Sequence, residues 1–201
     1  MGLNLNAMGY NETRAAVPGE YETLAPGGYV CKVVNAELTA SKAGNQMLVL
    51  YIDIAEGELA GYFTRSFNVV KKYNSKLKWT NLGTYRQLIT VTGGKLSPFF
   101  KGLLTCIENS NGCKFNTENF EATDLVGKLC GFIFGEEEYI KSDNSVGTHI
   151  AIKHQIGVDD VREGNFKIPE LKKLPVKKPP ADDLKNIDFG GEPVDDKDLP
   201  F

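Results

Sequence analysis

The sequence predicts a mainly β fold: a small five-stranded Greek-key barrel with one or two helices and a disordered acidic C-terminal tail. Three observations lead there. Twenty-one glycines among 201 residues favour many turns over long helices. Runs rich in β-branched and aromatic residues recur, with turn signals between them. From about Lys167 the chain turns to Lys and Pro, then to Gly and acid, with no periodic apolar face to bury.

Residues 1–27 are polar and turn-rich and are expected to form an irregular N-terminal segment. The run GYVCKVVNAEL is the first strand, closed by the turn-like TASKAGN. The second, QMLVLYIDIAE, sets Leu48, Leu50, Ile52 and Ile54 on one face and Val49, Tyr51 and Asp53 on the other. A third strand, GYFTRSF, is expected after the turn at Glu56-Gly57, and a short helix over about Leu82–Val91. A firmer helix starts at Pro98 behind Ser97 as N-cap, with Phe99, Phe100, Leu103, Leu104 and Ile107 recurring on one side. LCGFIFGEEEYI and THIAIKHQI, joined by SDNSVG, complete a final hairpin, with Ile150 and Ile152 facing one way and His149, Ala151, Lys153 and Gln155 the other. Three strands, helical material and two strands make the element order of an OB-fold, an order that other small barrels share. The predicted barrel domain spans 28–166, a Lys/Pro-rich linker 167–181 and the acidic tail 182–201.

No catalytic signature stands out. P-loop, G-x-S-x-G and H-E-x-x-H patterns are absent, and the Glu136–Glu138 run reads as a solvated strand end, so no enzyme activity and no cofactor are expected. The cysteines, Cys31, Cys106, Cys113 and Cys130, form no C-x-x-C pair and read as buried free thiols. A metal site from Cys106, Cys113, His149 and His154 is the competing reading, disfavoured by the wide spacing of the two cysteines. No apolar run is long enough for a membrane span, and the start MGLNLNAMGYNETR resembles neither a signal peptide nor a myristoylation site, so a cytoplasmic protein is expected.

Charge is unevenly spread. Residues 182–201 hold seven carboxylates and two lysines, a net of −5; against −3 for the whole chain, residues 1–181 carry +2. Within that mildly basic body, the stretch from Arg65 to Trp79 interleaves cations with rings. Single-stranded nucleic acid needs cations for its phosphates and flat side chains for its unstacked bases. Arg65, Lys71, Lys72, Lys76 and Lys78 supply the first, and Phe67, Tyr73 and Trp79 the second, with Lys153, His149 and Tyr51 extending the face from neighbouring strands. Trp79 reads equally well as a packing residue. The terminal VDDKDLPF ends on exposed apolar groups that a mere solubility tail does not need, which points to a docking motif for a partner protein.

An OB-like body followed by an acidic tail ending in Asp-Leu-Pro-Phe resembles single-stranded-DNA-binding proteins of replication. The body itself, through APGGYVCKVVNAELTASKAGNQMLVLYIDIAEGELAGYF, DLVGKLCGFIFGEEEY and VREGNFKIPEL, resembles a family of phage-encoded proteins found among replication and recombination genes. The phrase strand, S-K-x-G-N, strand, E-G-E stands here as Ser41–Asn45 and Glu56–Glu58. The resemblance runs from Leu24 to Lys172 and over the last eight residues. It implies sequence-independent coating of single-stranded DNA in the cytoplasm of a bacterial host, and a tip (Asp195, Asp196, Asp198, Phe201) that recruits replication or recombination proteins, with Lys197 interrupting its acidic run. A homodimer stays open, as does DNA against RNA. The alternatives are a phage interaction protein that grips a host protein through the barrel without touching DNA, and a metal-dependent nuclease, for which no carboxylate cluster stands out.

Overall fold

The structure, a computed structural model, describes residues 4–8, 10–11, 23–91 and 93–174. One five-stranded antiparallel sheet, in the order β3-β2-β1-β4-β5, organises them. β1 (Gly27–Ala40) and β2 (Gln46–Ile54) form the first hairpin. Its turn places Gly44 at φ 80°, where a side chain is strained, and Ser41 closes the loop by accepting from and donating to Asn45. β4 (Leu129–Ile140) and β5 (Val146–Ile156) form the last hairpin, and β3 (Thr84–Leu88) lies on the free edge of β2. The long β1 pairs with β4 through its first half and with β2 through its second. This is OB-like connectivity, with the sheet left open between β3 and β5 rather than closed into a barrel.

Among the described residues three α-helices accompany the sheet, one more than the upper expectation: α1 (Tyr62–Lys71), α2 (Pro98–Asn111) and α3 (Val158–Glu163). α2 lies between β3 and β4. It buries Phe100, Leu103 and Ile107 on one stripe and ends at Gly112, whose φ of 59° turns the chain out of the helix. Phe99 does not share that stripe and is exposed, and Ser97 makes no side-chain cap. Asn111 ties the helix to the sheet, donating to the carbonyl of Leu129 at 2.8 Å and accepting from its N–H at 2.9 Å. The core gathers Leu48, Leu50, Ile52, Phe63, Phe132 and Phe134 between sheet and helices, each contributing about 1.5–3 kcal/mol through its burial.

Two elements differ from the sequence reading. GYFTRSF is helical, not a strand. Gly61, at φ 76°, turns the chain, and the carboxylate of Asp53 accepts from the N–H groups of Phe63 at 2.9 Å and Thr64 at 3.2 Å. Those are orphan donors of a helical first turn, so Asp53 caps α1 from the end of β2. Residues 84–88 are a strand, not a helix, because β2 offers an unpaired edge and takes Arg86 opposite Val49 and Tyr85 opposite Leu50. The two differences compensate, and the strand count stays at five.

Beyond Phe134, β4 outruns β1. The chain after α3 fills the vacant edge, with Glu138 N–H donating to Lys172 at 3.0 Å and Lys172 N–H donating to Glu136 at 3.2 Å. The predicted linker 167–181 thus begins as chain laid along the sheet. Residues 175–181 and the whole tail 182–201, with Asp195, Asp196, Asp198 and Phe201, lie outside the described residues. Among the described residues no helix is long and apolar enough to cross a membrane.

Candidate nucleic-acid interface

The chain between α1 and β3 folds back over the end of the helix and brings two of the three predicted rings, Phe67 and Trp79, together. Trp79 lies 5.1 Å from Phe67 between centroids, tilted by 48°, and its Nε1–H donates to the carbonyl of Gly83 at 3.0 Å. A Cβ at Gly83 would stand 2.7 Å from that nitrogen and 3.0 Å from the carbonyl of Ile52, so only glycine admits the indole so closely. Lys71 Nζ sits 5.1 Å from the Phe67 centroid, a cation over a ring that rests on a second ring. Trp79 is half-buried against the core. Packing fixes it, and its remaining surface forms a wall.

That wall bounds a groove of about 610 Å³ on the outer face of β1, β2 and β3, lined by Asn35, Glu37, Tyr51, Lys78, Trp79 and Arg86 among others. Asn35, Tyr51 and Thr84 stand on one rung of the sheet, and Glu37, Val49 and Arg86 on the next. Tyr51 donates to Glu37 Oε1 at 2.5 Å, and this bond holds the phenol above its usual range, keeping it a donor. A second cavity, of about 690 Å³, opens at the seam between β3 and β5 and is lined by Tyr62, Tyr85, His149, Ile150 and Lys153. Tyr85 spans the seam, donating to Gln155 at 2.7 Å, and burial pushes its phenol up to about 12. Asn81, Thr84 and Arg86 line both hollows, so groove and seam run into one another.

The predicted site residues divide accordingly. Lys78 and Trp79 line the groove, with Tyr51 as its floor, while Phe67, under Lys71, packs against Trp79 from α1. Tyr73, 88% exposed, and Lys72 and Lys76 project from the loop before it, and among the described residues no carboxylate pairs with any of these lysines. Arg65 turns back to donate to the carbonyl of Ala60. Lys153 lines the seam rather than the groove; its side chain is 10% exposed and bonded to Glu137 at 2.9 Å and to the carbonyl of Glu136 at 2.8 Å. Arg86, Glu37 and Asn35 are members that the sequence reading missed.

The Lys153 bond holds the Glu137 carboxyl below the usual carboxylate range. A lowered folded value means that the pair stabilises fully above the unfolded pKa of about 4.3 and is lost as pH falls through the folded one. Glu137→Gln leaves a largely buried ammonium unpaired. It is expected to cost about 1–3 kcal/mol at pH 7, between the values for exposed and buried pairs, and much less under acid conditions. Urea midpoints at neutral and acid pH check this; an equal loss at both contradicts it.

The four residues of the competing metal reading do not meet. Cys106 Sγ lies 3.8 Å from Cys130 Sγ, and the His149 ring packs edge-on against Tyr139. Among the described residues no group of three or more His, Cys, Asp or Glu is placed to hold a metal ion.

Residues 11–96 match a family model described as a protein of unknown function (DUF669). That span contains Glu37, Tyr51, Trp79 and Arg86, and so the groove, but stops short of α2 and the β4–β5 hairpin. No curated protein matches the chain.

Proposed function

We propose that this protein binds single-stranded DNA without strict sequence requirement and protects it during phage DNA replication or recombination in the bacterial cytoplasm. The observation that carries the reading is the groove on the outer face of β2 and β3, the face on which OB-folds bind oligonucleotides. Lys78 and Arg86 stand in it beside an indole wall, next to a loop bearing Lys72, Lys76 and an exposed Tyr73. Cations follow the phosphates while Trp79 and Tyr73 take base faces, each stacked base being worth about 1–3 kcal/mol whatever its identity. The tail's Asp195, Asp196, Asp198 and Phe201 recruit replication or recombination proteins once the body is on the strand.

The test is binding of labelled oligo-dT by the full chain. Affinity should fall with rising salt by about 0.7 on a log–log plot for each phosphate neutralised. A protein partner on the open sheet's body is the second reading, favoured by the exposed Leu88, Leu96 and Phe99 between β3 and α2. It takes over if oligo-dT does not bind.

A further inference from the structure

We propose that the groove contains one base pocket that prefers guanine, whose Watson–Crick edge pairs with the Glu37 carboxylate while its face stacks on Trp79. The proposal rests on the single-strand reading above and adds a base preference to it.

A single extra residue puts Glu37 there. Val33 pairs with Ile52 and Asn35 with Tyr51, so Val34 is a bulge in β1. Before it the strand sends Cys31 and Val33 into the core cluster, and after it the next to enter is Ala36. Continued without the bulge, the inward series would run through Asn35 and Glu37. The shift turns both outward, onto the face that carries Tyr51. Bulges recur beside functional sites because they re-aim side chains in this way.

A carboxylate is out of place in a phosphate-binding groove unless it faces something other than phosphate. The other charged groups of the groove, Lys78 and Arg86, are cations. Glu37 accepts one hydrogen bond, from Tyr51 to Oε1, and among the described residues Oε2 has no partner. An ionised carboxylate has about four acceptor sites, so most of its capacity faces the groove unused. Tyr51, the donor of that bond, fixes the carboxylate's orientation.

Guanine is the base that meets this acceptor best. Its N1–H and N2–H₂ are adjacent donors that match the two carboxylate oxygens. Cytosine and adenine offer one amino group beside a ring-nitrogen acceptor, and thymine's N3–H lies between two carbonyls that a carboxylate repels. Asn35 and Arg86 line the same groove and bring donors for guanine O6. The volume of about 610 Å³ is within the usual range for a small-ligand site.

The experiment is fluorescence anisotropy of the full chain with oligo-dT of about 15 nucleotides, with the same strand carrying two separated guanines, too few to form a quadruplex, and with inosine in their place. The guanine strand should bind at least about fivefold more tightly than oligo-dT, and inosine, which lacks the 2-amino group, should lose much of that gain in the unaltered protein. Glu37→Gln, at an exposed position, should abolish the discrimination, the guanine strand binding no more tightly than oligo-dT. Equal, salt-sensitive binding of both strands by the unaltered protein overturns the guanine pocket and leaves the single-strand reading standing. A guanine preference that survives Glu37→Gln also overturns the pocket. No binding to any strand overturns the proposed function and the pocket together.

Discussion

Replacing Arg86 and Lys78 together with alanine is expected to weaken oligo-dT binding by about tenfold or more, and to lower the salt slope by roughly 0.7 for each contact removed. Arg86 carries most of the weight. It stands on the outer face of β3 and lines both the groove and the seam, so a strand leaving Trp79 toward the seam passes it. Its side-chain bond to Asn81, at 3.4 Å, is long, which leaves most of the guanidinium's donors for a phosphate. Arg86→Ala alone should therefore cost more than Lys72→Ala or Lys76→Ala on the loop, whose long, exposed side chains must be ordered to make a contact. Isothermal titration or anisotropy with each variant decides the order. A loss at the loop lysines with Arg86→Ala unaffected places the strand over the loop, outside the groove.

Asp53→Ala is expected to produce the largest loss of stability, about 2–4 kcal/mol. Asp53 is 5% exposed, and its carboxylate serves the N–H groups of Ile54, Phe63 and Thr64. Alanine leaves these donors without their acceptor beneath a helix that has no other side-chain cap. The damage should reach the interface, since α1 carries Phe67 against Trp79 and Lys71 over Phe67. Asp53→Asn keeps one acceptor oxygen and should be milder. Urea unfolding gives the stability and oligo-dT affinity the second effect. An unchanged urea midpoint means that α1 is held by packing of Phe63 rather than by its cap.

The elements that were legible in the sequence are those whose signals are local. Alternation at Leu48, Leu50, Ile52 and Ile54 marks β2, Ser97 and Pro98 mark the start of α2, and the Gly-Asn turn closes the first hairpin. The elements misread owe their form to partners distant in the chain. GYFTRSF carries no cap of its own, and the cap that makes it a helix is Asp53 at the end of β2. Residues 84–88 become a strand because β2 has a free edge, which local spacing does not reveal. The site was half legible for the same reason. Trp79, Phe67, Lys71 and Lys78 form one contiguous pattern of rings and cations, whereas Arg86 lay inside the segment read as helix. Glu37 reaches the groove only through the bulge at Val34. Lys153, expected at the phosphates, is paired with Glu137 on the neighbouring strand, a contact set by the register of β4 against β5.

Whether the groove walled by Trp79 holds a single strand is decided by a titration of intrinsic tryptophan fluorescence with oligo-dT at low and moderate salt, run beside a labelled-oligonucleotide assay. Trp79 is the chain's single tryptophan, so the signal comes from the groove wall alone. A saturable change in Trp79 emission is expected, its midpoint moving to higher oligonucleotide concentration as salt rises. Binding of the labelled strand with silent tryptophan emission would move the strand away from the groove, and no binding in either assay would overturn single-strand binding altogether.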